Sequence, residues 1–175
     1  MTEVTLSRLN EFLKELEKNK IKYIVIAGFG LDGKRGFQTR SHQDLDVLCL
    51  KKDLQKLEVI IKKLGYSGEK FNDLYKLRRT DGSKIDLGLL TIEGKDAVSY
   101  GRIAITRFPK ELFKKSQKGH IDNVEFTIAP NELLKTWGKD STKGSDAEFA
   151  NSLPADKEII KKIKRILRKD LELMK

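Results

Sequence analysis

The chain has 175 residues, room for one ordinary domain with at most a short appendage. Its 38% hydrophobic and 35% charged residues allow a core beneath a heavily charged surface. A net charge of +10 invites a nucleic-acid reading, but 27 lysines against nine arginines favour a solvated surface over a bidentate phosphate reader. Half of that excess, +5, falls in residues 157–175. The single Cys49 excludes an intramolecular disulfide framework and a Cys-rich zinc site. No apolar run approaches the ~18–20 residues of a membrane span, and the N-terminus lacks a signal peptide's pattern. The expectation is a soluble cytoplasmic protein with no membrane partner.

Thr5 to Lys20 places Leu6, Leu9, Phe12, Leu13 and Leu16 on one helical stripe. Ile21 to Ala27 is a short β-branched run, expected as a buried strand. Gly28 to Gln43 is Gly-rich and polar, too broken for a long helix. Asp44 to Leu50 reads as a second strand, and Lys51 to Leu64 as a helix stopped at Gly65. Leu74 to Arg79 and Lys84 to Leu90 flank Thr80-Asp81-Gly82-Ser83, a hairpin signal. Arg102 to Phe108 and Val124 to Ile128 look like strands, with a short helix after Pro109. Helices are expected at Glu132 to Gly138, Asp146 to Leu153 and Lys157 to Met174. Strands first and helices last predict one α+β domain with a helical C-terminal part. Cys49 and Trp137 are expected to pack, and His120 to sit in a turn before a strand.

Gly28-Phe29-Gly30-Leu31-Asp32-Gly33 fits G-x-G-x-x-G, the dinucleotide fingerprint. Its context refuses that reading. Residues 34–43 carry no apolar crossover stripe, and the acids open the next strand rather than close it. Those acids are the stronger clue. Asp44 and Asp46, two apart in an extended run, project from one face, with about 7 Å between them along the strand. Such a pair repels unless a cation lies between, and Mg²⁺ commonly takes one or two carboxylates plus substrate phosphates. Asp86 lies in KIDLGLL, with Ile85, Leu87 and Leu89 facing the other way. An acid on a strand otherwise suited to burial suggests a ligand or a base.

Ala27-Gly28-Phe29-Gly30-Leu31-Asp32, then Gly36, Thr39-Arg40, His42 and Asp44-Leu45-Asp46, resemble the signature of the lincosamide and aminoglycoside 2″ nucleotidyltransferases. These belong to the DNA polymerase β-like nucleotidyltransferase superfamily. The match is close over Ile24 to Leu50 and reaches Asp86; Ala27 stands where the family usually has a glycine. The resemblance implies a nucleotidyltransferase-type mixed β-sheet flanked by helices, with residues 1–130 as core and 131–175 as a helical segment packed on it.

By the same resemblance, Asp44, Asp46 and Asp86 would hold two Mg²⁺ ions, with Asp86 also the candidate general base. Gly28 and Gly30 would let backbone N–H groups reach the phosphates of an NTP such as ATP. Arg40 and His42 would flank those phosphates, and Lys139 or Lys143 would reach the triphosphate. The implied activity moves a nucleoside monophosphate from an NTP onto a hydroxyl of a small-molecule acceptor. A toxin-like enzyme acting on RNA or protein, and a non-catalytic nucleotide-binding module, are the alternatives. Nucleic acid is the less favoured partner. The apolar stripe from Glu158 to Met174 would pack on the domain or serve as a homodimer face.

Overall fold

The computed structural model describes residues 5–101, 104–139 and 144–167. Helix α1 (Leu6–Lys18) buries Leu9, Phe12, Leu13 and Leu16, the stripe its periodicity predicts. Strand β1 (Tyr23–Val25) is shorter than expected, because Ala27 enters left-handed backbone at φ 53° and starts helix α2 (Ala27–Arg35). The stretch from Gly28, expected to be too broken for a long helix, holds the remaining eight residues of this short one. Close packing replaces an apolar stripe there. A Cβ on Gly30 would stand 2.9 Å from the Val25 carbonyl oxygen, so only glycine lets α2 lie this near β1.

Strand β2 (Leu45–Leu50) follows, then a 3₁₀ turn at Lys51–Asp53 and helix α3 (Leu54–Lys63), which buries Leu57, Ile60 and Ile61. Strands β3 (Ser67–Phe71), β4 (Leu74–Arg78) and β5 (Lys84–Glu93) come next. The predicted hairpin joins β4 to β5. Strand β5 continues beyond Leu90 because Thr91–Glu93 pair with β6 (Asp96–Tyr100). Strand β7 (Ala104–Pro109), helix α4 (Glu111–Lys114), and strands β8 (Gln117–Ile121) and β9 (Val124–Ile128) complete the middle of the chain. His120, expected in a turn, is an exposed residue of β8; the turn itself follows, where Asp122 takes φ 50°.

Helices α5 (Asn131–Lys139) and α6 (Gly144–Ser152) form where the pattern placed them. The C-terminal expectation is corrected. Instead of one helix from Lys157 to Met174, α7 spans only Lys157–Lys161, and β10 (Lys164–Leu167) pairs antiparallel with β7. The β-branched Ile166 suits an edge strand as well as a helical stripe, and antiparallel pairing with β7 settles the choice. Ile166 is 38% exposed, so the predicted apolar stripe is not buried as one face. The remainder of that stripe, including Leu171 and Met174, lies outside the described residues.

The strand order is β10-β7-β6-β5-β2-β1-β9-β8, with β4 on β5 and β3 beyond β4. β2 runs parallel to β5 and β1 parallel to β9, while the other pairs are antiparallel, so the sheet is mixed. This is the α+β architecture expected, with β10 returning the C-terminal segment to the sheet. One buried cluster extends from α1 across the sheet to Leu133 and Leu134 of α5, and Cys49 lies within it. No helix among the described residues is long and apolar enough to cross a membrane.

Candidate active site

The parallel pairing of β2 with β5 sets Asp46 directly opposite Asp86. Period-two alternation sends Leu45, Val47, Ile85 and Leu87 to the buried face, leaving Asp44, Asp46 and Asp86 on the other. The three acids that sequence pattern singled out are thus brought together. Loss of water pushes the Asp46 carboxyl up to about 8, with the charges of Asp44 and Asp86 adding to the rise. Burial, then the charge of Asp86, also raises Asp44. A patch that disfavours its own negative charge is one that a cation would stabilise.

The antiparallel β4–β5 hairpin places Lys76 opposite Asp86, where its Nζ donates to Asp86 Oδ2 at 2.7 Å. Among the described residues no three acids or histidines form a ready-made cage for a metal. The donor set nevertheless fits Mg²⁺, which is held through one or two carboxylates with substrate phosphates and water filling its octahedron. Asp44 and Asp46 would provide those carboxylates.

Two cavities meet at Asp46. One, of about 500 Å³, lies between the start of α2 and the loop before β2, and Ala27, Gly28, Arg40 and His42 line it. The other, of about 530 Å³, lies beside Asp86, Lys76 and Leu74. Asp46, Trp137 and Arg165 border both. Trp137 packs edge-on against Phe108 at 6.2 Å, as expected of a packing residue, yet also walls the two cavities. A further cavity of about 600 Å³ between Lys20–Tyr23 and Lys114–Lys118 carries only Glu17 as an acid, and Tyr23 donates to that carboxylate.

Gly28 sits in the first turn of α2, whose leading N–H groups have no intrahelical partner. A Cβ at Gly28 would come within 2.6 Å of His42 Nδ1 and 2.9 Å of an Arg40 guanidinium nitrogen. Glycine therefore permits both side chains to close over the helix start, where anions are favoured. Gly30, two residues on, allows the close approach to β1 described above.

Arg40 and His42 belong to a charge network centred on the buried Asp32 and Asp146. His42 Nε2 lies 2.6 Å from Asp32 Oδ2, and the imidazole stacks at a tilt on Phe29. Thr39 donates to Asp32 through its backbone N–H and its hydroxyl, at 3.1 and 2.7 Å. Burial raises Asp32, but the hydrogen bonds from His42 and Thr39 prevail and hold it below the ordinary carboxylate value. Arg35 bridges Asp32 and Asp146, each at 3.0 Å. Arg40 binds Asp146 through Nε and Nη2, at 3.1 and 2.8 Å. This network ties the loop before β2 to α2 and α6, and it anchors His42 in the cavity wall.

Sequence pattern alone assigns no role to Arg35, Lys76, Asp146 or Arg165, and it holds Asp32 only within the glycine-rich motif. The hairpin turn could have revealed Lys76, since a loop centred on residue 81 sets position 76 against position 86. Lys139 ends α5, but its side chain, like the whole of Lys143, lies outside the described residues.

A sequence-family profile described as aminoglycoside-2″-adenylyltransferase matches residues 8–124. Comparison with curated proteins finds no match. Among solved structures, the fold is similar to lincomycin-bound LnuA, a lincosamide antibiotic adenylyltransferase, with TM-score 0.68 and 18% identity over 87% of this chain and 99% of that one. The antibiotic-resistance factor ANT(2″)-Ia in solution aligns with TM-score 0.64 and 16% identity, over 87% of this chain and 85% of that one. The same protein in complex with adenylyl-2″-tobramycin gives 0.62 and 14%, over 82% and 86%. At these identities the structural likeness carries the fold.

Proposed function

The chain belongs to the aminoglycoside-2″-adenylyltransferase family of nucleotidyltransferases, and on that premise we propose that it transfers AMP from ATP to a hydroxyl of a small molecule in a Mg²⁺-dependent reaction. The observation that carries this reading is the position of Asp46. It faces Asp86 across the parallel strands and borders both cavities, so a nucleotide on one side and an acceptor on the other would meet at its carboxylate.

The start of α2 and Arg40 would receive the triphosphate, with backbone N–H groups and a guanidinium that Asp146 holds in place. His42 would support this end through its anchored ring. Lys139 or Lys143 would add a cation to the triphosphate, an assignment resting on the resemblance alone. Asp44 and Asp46 would hold Mg²⁺, with Asp86 as a further ligand to a second ion. When bound, the metal would neutralise charge on the α-phosphate and lower the pKa of the attacking hydroxyl.

Asp86, positioned by Lys76, would accept the acceptor's hydroxyl proton. The acceptor oxygen would then bond to the α-phosphorus as the α–β bridging P–O bond breaks. Pyrophosphate carries away that bond's electron pair. Release of pyrophosphate from ATP, followed over a panel of hydroxylated acceptors, tests the proposal. It should require Mg²⁺ and be lost in Asp46→Asn; release indifferent to chelation or to that substitution would overturn it.

A further inference from the structure

Helices α1 and α3 end in the same backbone closure, with different residues at its left-handed position. After α3, the Gly65 N–H donates to the Lys62 carbonyl at 3.0 Å and the Tyr66 N–H to the Ile61 carbonyl at 2.9 Å, and Gly65 takes φ 72°. After α1, the Lys20 N–H donates to the Glu17 carbonyl and the Ile21 N–H to the Leu16 carbonyl, each at 2.9 Å, and Lys20 takes φ 56°. Both are Schellman closures, whose left-handed residue is usually glycine because a Cβ is disfavoured there. The closure explains the backbone of Lys20 but not the choice of lysine. A cation in the last turn answers the helix end without that strain, and Lys18 already stands there.

Lys20 borders the cavity of about 600 Å³ that lies between the end of α1 and the segment from α4 to β8. We infer that this cavity binds a small phosphomonoester with an apolar body, at a site separate from the three acids and independent of nucleotidyl transfer. Strain of this kind is kept where a ligand needs the side chain.

Lys20, Lys22, Lys114 and Lys118 line the cavity, with Glu17 as the one acid among its lining residues. None of those residues adjoins an undescribed one along the chain. The Glu17 carboxylate accepts from Tyr23 Oη at 2.8 Å. Lys114 and Lys118 are paired with exposed acids outside the lining, Glu111 at 3.3 Å and Glu125 at 3.1 Å. Exposed pairs contribute little, so a dianion can compete for both ammonium groups. Lys20 and Lys22 enter no ion pair among the described residues. Buried Ile21, Tyr23 and Phe113 give the cavity an apolar wall, and Ser116 and Thr127 add hydroxyls. Several cations and hydroxyls beside an apolar wall suit a phosphate carried on an apolar group.

NMR titration of the full chain with phenyl phosphate, phenol and inorganic phosphate tests this. Phenyl phosphate should bind at least tenfold more tightly than either fragment and shift the amides of Lys20–Tyr23 and Ser116–Lys118. Lys20→Gly should weaken that binding at least fivefold with a thermal midpoint no lower than the wild type's, since glycine suits the closure. Lys22→Gln, away from the strained position, should weaken it as well, whereas Lys56→Gln on α3 should leave it unchanged. Phenyl phosphate binding no more tightly than its fragments would overturn the inference. So would shifts confined to the start of α2, wild-type affinity in both Lys20→Gly and Lys22→Gln, or an equal loss in Lys56→Gln.

Discussion

Asp46 and Asp86 occupy the same rung of two parallel strands, and Lys76 faces Asp86 from the antiparallel strand on its other side. Three consecutive strands in space thus place acid, acid and ammonium in one row. The arrangement explains why Asp46 resists ionisation: it has lost water and faces two like charges, while Lys76 is bonded to its neighbour Asp86.

That resistance has a definite sign in stability. The folded chain holds the Asp46 proton up to about 8, whereas an unfolded chain releases it near the ordinary carboxylate value of about 4. The folded state therefore binds more protons across this window, and stability falls as pH rises through it. Thermal midpoints of the metal-free protein should decline from pH 5 to pH 8. Asp46→Asn should flatten that decline and exceed the wild type at pH 8, while Mg²⁺ should offset it in the wild type. A midpoint that rises with pH over this range would contradict the assignment.

Asp146 joins α6 to the loop before β2 by accepting from both Arg35 and Arg40. Asp146→Ala would leave two guanidinium groups, one of them 9% exposed, without their shared carboxylate. Breaking a buried pair in this way costs about 3 kcal/mol or more. Urea unfolding should show that loss, with a smaller one for Asp146→Asn, which keeps one acceptor. Weaker ATP binding should accompany it because Arg40 loses its anchor.

Gly28→Ala should impair nucleotide binding more than folding. The added methyl would displace His42 and Arg40, both nearer than 3.0 Å to its position. An overpacking strain of about 1–3 kcal/mol would follow, and about 1.4 kcal/mol of it expressed in binding would raise the ATP dissociation constant tenfold. Titration with ATP and Mg²⁺ reads this directly.

Ala27→Gly should stabilise the protein. Ala27 holds φ 53°, a left-handed conformation that costs a residue with a Cβ about 1 kcal/mol. The gain would be partly offset by the greater freedom of glycine in the unfolded chain, leaving roughly 0.5 kcal/mol in denaturant unfolding. Ala27→Val should lose stability at the same position.

Much of this site was legible before the fold. Alternation along Asp44–Leu50 set Asp44 and Asp46 on one face of their strand, alternation along Lys84–Leu90 set Asp86 opposite the apolar side of its own, and the Asp81-Gly82 turn marked the hairpin. What alternation could not supply was the neighbour of each strand: the β2–β5 pairing is separated by α3 and a hairpin, and only it sets Asp46 against Asp86. Strands β3 and β8 escaped notice because SGEKF and QKGHI show little apolar alternation. Helix α2 was obscured because glycine packing does the work an apolar stripe usually does. At the C-terminus, Ile159, Ile160, Ile163 and Ile166 fit a helical stripe, and tertiary pairing with β7 overrode it beyond Lys161. The Asp32–His42 pair was hidden for another reason, since burial of Asp32 depends on how α2 meets the loop before β2.

The proposed recruitment of magnesium by Asp44 and Asp46 for a bound nucleotide can be measured without knowing the acceptor. Calorimetric titration of the wild type with ATP, in Mg²⁺ and in chelator, alongside Asp44→Asn and Asp46→Asn, reads it directly. Mg²⁺-dependent ATP binding is expected in the wild type, weakened at least tenfold in each variant. ATP binding of equal strength in chelator and in both variants would contradict it.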